Sequence, residues 1–435
     1  MRETALSLIR IRLKASCSKR LGYPATSSNW IRSFSSTCFR SSSDPALEQD
    51  EVKTSPFHAV SFDDHKLWVP WEEGKTSAYH HIWLRDSCKC KECMHEVTKQ
   101  RMVKTFDLPK SIKPMEAIPN KEGLRIKWSN GGHESEYNWN WLYRHSYQPK
   151  LQDPIYIKKQ LWGSEISKDL PTVAYDEVMS SDGGIAKFTR NIAERGFTFV
   201  EGVPPSAEDT ETLLRRIAPP QITHYGGFWV FEPDLSQADT AYTNIALPAH
   251  NDTCYFLQSC GLQSFHCLEN TDPNGGGKSL LVDGFKAAKK LRNEYPDAWR
   301  ILTRVPFGYH ASGHAGENFV ARGPILNYDN AGRIVQVRWN NDDRMVLDET
   351  TQTDSMDQIY EAMNKWMEII TSPEIELWES LTPGRVVVFD NWRVLHGRSA
   401  FEGRRKMCGA YIGMDAFLSR MRTTNYSQET LDQEI

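Results

Sequence analysis

The sequence predicts a mainly β protein with covering helices, a β-sandwich or jelly roll preceded by a small β-rich unit. Three observations carry that expectation. From Thr223 onward, short runs rich in β-branched and aromatic residues recur at 227–231, 241–247, 262–267, 279–282, 334–339 and 385–389. One long amphipathic run interrupts them, with Met356, Ile359, Tyr360, Met363, Trp366, Met367 and Ile370 on one face. Many short strands with few helices need a second layer over their apolar faces, and a closed sandwich supplies it.

The elements follow in chain order. Residues 1–43 carry eight Lys/Arg, fourteen Ser/Thr and a single acid, Glu3. Ala5, Leu6, Leu8, Ile9, Ile11 and Leu13 stand among Arg10, Arg12 and Lys14, so a helix there is apolar on one side and basic on the other. That composition is a mitochondrial transit peptide, and the arginines interrupt the apolar stretch a secretory signal needs. The expected location is the mitochondrial matrix. Without the leader, 44 basic and 55 acidic residues remain, so net charge gives no support to a nucleic-acid partner. No uncharged apolar run approaches the ~20 residues of a membrane span. The nine cysteines are unevenly placed, unlike a disulfide framework.

Residues 58–165 read as a small domain of short strands, at 57–62, 66–69, 124–128 and 134–137, with an aromatic run at 138–142. A polar connector follows at 166–183. A helix with Ile185, Phe188, Ile192 and Ala193 on one face ends at Gly196. Phe197–Val200 is a strand, and Ser206 with Asp209 opens a helix through Leu213, Leu214 and Ile217 that Pro219-Pro220 stops. The larger domain spans 175–425. The tail after Arg422 reads as polar and loose.

His250-Asn251-Asp252 follows the strand ending near Leu247. In extended backbone, residues two apart point to one side, so an imidazole and a carboxylate reach one ion. A distant histidine would complete two His and one carboxylate, the donor set of non-haem Fe(II) oxygenases, which leaves open positions for a cosubstrate and O2. His396, after the apolar strand 385–389, is the best third ligand. Arg405 lies nine residues on, where a guanidinium would clamp a remote carboxylate.

These residues belong to a longer pattern. Ala241-Tyr-Thr, His250-x-Asp252, Gly261-Leu-Gln-Ser-Phe-His-Cys-Leu268, Ser279-Leu-Leu-Val-Asp-Gly-Phe285, Arg338-Trp-Asn-Asn341 and Phe389-Asp-Asn-Trp-Arg-Val-Leu-His-Gly-Arg398 resemble the carnitine-biosynthesis dioxygenases. This is the γ-butyrobetaine/trimethyllysine dioxygenase family of Fe(II)/2-oxoglutarate oxygenases. The likeness covers roughly 60–425. It implies a double-stranded β-helix and iron on His250, Asp252 and His396. It also implies 2-oxoglutarate on Arg405 with Ser279 nearby, and ascorbate as reductant. The middle residue of the family's His-x-Asp is usually Thr, whereas here it is Asn251.

Tyr225, Trp229 and Tyr242 match the family's aromatic cage, whose ring faces bind a trimethylammonium that cannot donate a hydrogen bond. Asp239 and Asn340 match positions near the substrate's acid end. A carboxylate at 239 would repel the acid of γ-butyrobetaine and suit the α-amine of trimethyllysine. The resemblance therefore implies hydroxylation of trimethyllysine to its 3-hydroxy derivative, the first step of carnitine biosynthesis; γ-butyrobetaine hydroxylation is the alternative. A homodimer is the expected assembly.

Cys88-x-Cys90-x-x-Cys93 is a dense thiolate cluster that needs a fourth ligand for a closed, structural zinc site. His95 stands close by, and the resemblance favours His133. Gly275-Gly-Gly-Lys-Ser279 lacks the Gly that a phosphate loop needs at 272 and reads as a turn. His266, His310 and His314 read as packing or surface residues. Two other classes share some of these features: a zinc hydrolase using the same tripod, and a non-catalytic reader of methylated lysine.

Overall fold

The computed structural model describes residues 60–152, 157–232, 244–313, 316–347 and 354–435. The expected leader at 1–43 lies outside them, as do Asp239, Tyr242 and His314.

The first strands are β1 (Ser61–Phe62), β2 (Lys66–Pro70) and β3 (Thr76–His80), one antiparallel sheet that leads into helix α1 (His81–Asp86). A second sheet holds β4 (Pro114–Pro119), β5 (Gly123–Trp128) and β6 (Glu134–Asn138). Alternation along β5 buries Leu124, Ile126 and Trp128 and exposes Arg125. These side chains join Leu67, Val69, Tyr79, Leu84 and Trp141 in a separate small core. The aromatic run at 138–142 is helical rather than extended. It opens α2 (Trp139–Arg144), where the Asn138 side chain accepts from the Trp141 amide at 2.6 Å.

The stretch read as a connector is ordered. It contains β7 (Thr172–Ala174) and α3 (Tyr175–Ser180). Three residues are too few for alternation to show, and β7 exists because it pairs in parallel with β8 (Phe197–Glu201). Between them runs α4 (Asp182–Arg195), capped by Ser181 and ended by Gly196 at φ +85°, a left-handed position that suits glycine. After α5 (Ala207–Arg215) come β9 (Phe228–Phe231), β10 (Leu247–His250), β11 (Leu262–Asn270) and β12 (Ser279–Asp283). Of the strand expected at 241–247, residues 241–243 lie outside the described residues, 244–246 are not in a strand, and β10 begins at Leu247.

Two helices absent from the sequence reading follow, α6 (Gly284–Glu294) and α7 (Pro296–Leu302). The buried face of α6 is Phe285, Ala287, Ala288 and Leu291, where alanines mask the apolar period. The hairpin β13 (Phe307–Ala311) with β14 (Phe319–Gly323) follows, then β15 (Leu326–Tyr328) with β16 (Ile334–Val337), the last of which falls in the strand expected at 334–339. The long helix is α8 (Met356–Ile370), with a Ser355/Gln358 capping box. The chain finishes with β17 (Glu376–Glu379), β18 (Arg385–Asp390), β19 (Val394–Arg398), β20 (Arg405–Ile412), α9 (Met414–Asn425) and α10 (Gln428–Asp432).

Two sheets form the sandwich. One has six strands in the order β7-β8-β18-β11-β20-β9, the other four in the order β10-β19-β12-β17. Their facing sides share one core, with Phe197, Phe199, Val387, Phe389 and Met407 from the first and Leu281, Leu377 and Val394 from the second. Helices α4, α5 and α9 cover the outer side of the large sheet through Phe188, Ile192, Leu213, Leu214 and Phe417. Helices α6, α7 and α8 cover the outer side of the small sheet through Leu291, Leu302 and Trp366. The expectation of many strands under a few helices holds, with more helix than the sequence showed.

The tail is not loose. The Lys89 ammonium donates to the Asp432 carbonyl at 3.0 Å, Arg144 pairs with Glu434 at 2.8 Å, and His145 Nε2 meets the Gln433 carbonyl at 2.7 Å. Charged partners far away in sequence hold this end, which local polarity could not reveal.

On the outer face of β11, His266 is fully buried. The Gly384 amide donates to its Nε2 at 3.1 Å, and Nδ1 lies 2.7 Å from Thr210 Oγ1, whose own hydrogen goes to the Ser206 carbonyl. That ring must be neutral, and burial pushes it down to about 4. The unfolded chain takes up this proton near pH ~6.5, so the imidazole's contribution is full above that pH and is lost as pH falls towards about 4. Urea unfolding from pH 7 to 4 should therefore show a steeper loss of stability in the wild type than in His266→Gln. Equal slopes would contradict this account of His266.

Candidate functional site

The register of β10 against β19 sets His250 directly opposite His396. Asp252 arrives by a different route from the one expected. The strand ends at His250, and a turn rather than extended backbone returns the carboxylate. The Asn251 amide donates to the Trp339 carbonyl at 2.7 Å, and the Asp252 amide donates to Asn391 Oδ1 at 2.9 Å. Asn391 Nδ2 in turn donates to the carbonyls of Asp252 and Cys260, both at 3.0 Å. Asp252 Oδ1 then stands 3.2 Å from His250 Nε2 and 3.6 Å from His396 Nε2, with the two imidazole centroids 4.3 Å apart.

Asn251, the departure from the usual Thr, is part of this turn. It is buried, its Nδ2 donates to the Asn391 and Val394 carbonyls at 2.8 and 3.2 Å, and its Oδ1 accepts from the Trp339 amide at 3.2 Å.

The electrostatics suit a cation. Burial, with His250 alongside, pushes His396 down to about 3, so it is a neutral donor. Burial opposes charge on Asp252, but the two imidazoles and the Tyr411 hydroxyl hold its carboxyl well below the usual range. Burial opposes charge on His250 as well, but Asp252 and the Pro248 carbonyl, 2.8 Å from Nδ1, hold its pKa above the ordinary imidazole value, so a cation between Nε2 and Asp252, proton or metal, is favoured. Two imidazoles and one carboxylate, all donor atoms within 4.8 Å of one another, fit a divalent metal, which would take the place of a proton on His250.

The triad opens into a cavity of about 390 Å³. Alternation on the strands decides what lines it: Gln263 and Phe265 of β11, His396 and Arg398 of β19, and Arg405, Met407 and Tyr411 of β20 share the inward side. Arg405 is 5% exposed and makes no hydrogen bond or ion pair among the described residues. A buried guanidinium without an ion pair costs several kcal/mol, so the position suits an anion such as a carboxylate. Gly277, at φ +72°, allows the guanidinium in: a Cβ there would lie 2.9 Å from Arg405 Nε. The Gly-rich stretch is the expected turn between strands, and Ser279 lines the cavity just beyond it.

Tyr225 and Trp229 line the same cavity. The Trp229 indole lies across Gly409, where any Cβ would come within 2.5 Å of the ring. Its centroid is 6.0 Å from that of Tyr411. Asn340 lies here too, donating to Asp343 Oδ2 at 2.7 Å. Gln263, Tyr411, Arg398, Asp343 and Glu317 were missed from the sequence. For Tyr411 a signal existed, since it shares the face of Arg405 at even spacing. His310, read as packing or surface, also faces the cavity; His266 is packing as expected.

A second donor cluster lies in the first unit. His133 Nε2 is 3.4 Å from Cys88 Sγ and 3.6 Å from the sulfurs of Cys90 and Cys93. A tetrahedral zinc with its usual bond lengths places N and S donors about 3.6 Å apart, so the four fit it. His95 stands elsewhere, its Nδ1 accepting from the Thr98 amide at 3.1 Å. Burial pushes the Cys88 thiol up to about 12, so a thiolate there needs a cation.

Comparison with known proteins gives the context. The model of the taurine catabolism dioxygenase TauD, TfdA family matches residues 157–411, and a gamma-butyrobetaine hydroxylase-like N-terminal model matches residues 59–143. The chain is 41% identical over 438 residues to the trimethyllysine dioxygenase of Neurospora crassa, covering 92% of this chain and 89% of that protein. It is 38% identical over 350 residues to the mitochondrial trimethyllysine dioxygenase of Homo sapiens, covering 79% and 82%. To the gamma-butyrobetaine dioxygenase of Homo sapiens it is 29% identical over 371 residues, covering 82% and 94%.

Asn251→Ala would strand the Trp339 amide and deprive two buried carbonyls of their donor. We expect a loss of about 2–3 kcal/mol in unfolding free energy, measured by urea titration, with Asn251→Thr recovering part of it. A change within about 0.5 kcal/mol would contradict the role given to the turn.

Proposed function

The chain belongs to the taurine catabolism dioxygenase TauD, TfdA family, and we propose that it hydroxylates N6,N6,N6-trimethyllysine at C3. The reaction is coupled to conversion of 2-oxoglutarate to succinate and CO2. The observation that carries this reading is the meeting, in one cavity, of a two-His, one-carboxylate donor set with a buried, unanswered arginine and an aromatic wall.

His250, Asp252 and His396 hold the iron. When bound, iron(II) supplies the activation of O2 that decarboxylates the keto acid and oxidises the substrate C–H bond. The rest is the work of the chain. Arg405 receives the remote carboxylate of 2-oxoglutarate, with the Ser279 hydroxyl beside it. Tyr225 and Trp229, joined by Tyr242, present ring faces to the trimethylammonium, each worth ~0.5–2 kcal/mol. Asn340 and Asp239 meet the amino-acid end. Phe265, Leu281 and Met407 line the cavity with apolar surface, which limits water and holds the substrate in one pose.

The sandwich is a double-stranded β-helix over 175–425, and 58–165 is a domain with structural zinc on Cys88, Cys90, Cys93 and His133. Residues 1–43 direct the protein to the mitochondrial matrix, in keeping with relatives that are named mitochondrial. Ascorbate acts as reductant and the enzyme is a homodimer. γ-Butyrobetaine hydroxylation is the second reading; the lower identity to that enzyme supports it less.

Three outcomes test the proposal. Succinate formation should favour trimethyllysine over γ-butyrobetaine by tenfold or more in kcat/KM, a difference of ~1.4 kcal/mol or more, and the reverse preference would contradict the substrate assignment. Arg405→Met should raise the KM for 2-oxoglutarate roughly 30-fold or more, as loss of a buried charge partner costs about 2 kcal/mol or above; an unchanged KM would refute its role. Metal analysis should find about one zinc per chain that Cys90→Ser removes, with a lower melting temperature. Zinc content that the variant leaves intact would rule out the thiolate site.

A further inference from the structure

Asp252 has two oxygens, and the fold treats them differently. Oδ1 faces the two imidazoles at 3.2 and 3.6 Å. Oδ2 accepts two hydrogen bonds, from Gln263 Nε2 at 2.6 Å and from the Tyr411 hydroxyl at 2.7 Å. Gln263 and Tyr411 are cross-strand partners, paired in register between β11 and β20. Both point inward, and they are 1% and 4% exposed. The Gln263 amide has only one workable orientation. A carboxylate accepts and cannot donate, so Nε2 must face it, and Gln263 Oε1 is left buried without a partner. An orphaned buried carbonyl costs about 1–3 kcal/mol, and the fold bears it to keep the donor on Asp252.

We propose that Gln263 and Tyr411 are positioning residues that commit Asp252 Oδ2 and so leave Oδ1 as the single oxygen offered to the metal. The inference rests on the reading of His250, Asp252 and His396 as metal ligands. A carboxylate free to turn would bind a cation through both oxygens. It would then occupy a coordination position that a bidentate keto acid needs. Holding Oδ2 from two strands keeps that position available, in a way the ligands alone do not.

The test is a titration of the metal-free protein with Co(II) under nitrogen, followed by visible absorption, in the wild type, Gln263→Met and Tyr411→Phe. Each variant should bind Co(II) about 10–100-fold more weakly, the range typical of lost hydrogen bonds to a ligand. Its absorption should also weaken, as a second carboxylate oxygen raises the coordination number. Melting of the metal-free variants should stay within a few degrees of the wild type. Wild-type affinity and spectrum in both variants would overturn the proposal. So would loss of a cooperative melt in both, which would mark a packing role. A His396→Ala control separates the two levels: if it binds Co(II) like the wild type, the metal assignment itself fails.

Discussion

The site depends on one polar turn. Asn391 sits between β18 and β19, and its amide group spans the gap to the chain leaving β10. Because it accepts from the Asp252 amide and donates to the Asp252 and Cys260 carbonyls, the carboxylate returns to the imidazole it has just left. Asn251 braces the same turn from the other side, against Val394 and Trp339. Without these bonds the register between β10 and β19 would still set two histidines face to face. The third donor would be missing.

Behind the turn lies a second constraint. Arg393, three residues before His396, is fully buried in an ion pair with Asp283 at 2.9 Å. Its guanidinium also donates to the carbonyls of Glu194 and Gln160. Breaking such a pair costs about 3–5 kcal/mol because it strands a buried charge. It pins the end of α4 and the 157–163 segment to the start of β19, the strand that carries His396. The cavity contrasts with this satisfied network: there Arg405 has no hydrogen bond or ion pair among the described residues and only the Phe401 ring beside it at 5.6 Å, which suits it to an anion.

Much of this was legible in the sequence, for physical reasons that differ from residue to residue. His250 and Asp252 announce themselves by spacing, and His396 and Arg405 by following an apolar strand at short range. The thiolates sit within six residues of one another. Ile185, Phe188 and Ile192 show a clear helical period that packing then uses. What stayed hidden depends on pairing or on distance. β7 is a strand only because β8 lies beside it, and α6 hides its apolar face behind alanines. Gln263 stands in a matched motif that gives it no role and Tyr411 shares the face of Arg405, but only the register of β11 with β20 brings them to one oxygen. The docking of α10 onto Lys89, Arg144 and His145 joins residues almost 300 or more positions apart. Asn251 shows the limit from the other side: as a departure from pattern it was visible, but its role in the turn was not.

The most direct measurement is anomalous diffraction at the iron edge, from crystals grown under nitrogen with Fe(II) and 2-oxoglutarate. The account predicts a peak within bonding distance of His250 Nε2, Asp252 Oδ1 and His396 Nε2, with the far carboxylate of the keto acid against Arg405. A peak bound by other residues, or a keto acid whose remote end lies away from Arg405, would contradict it.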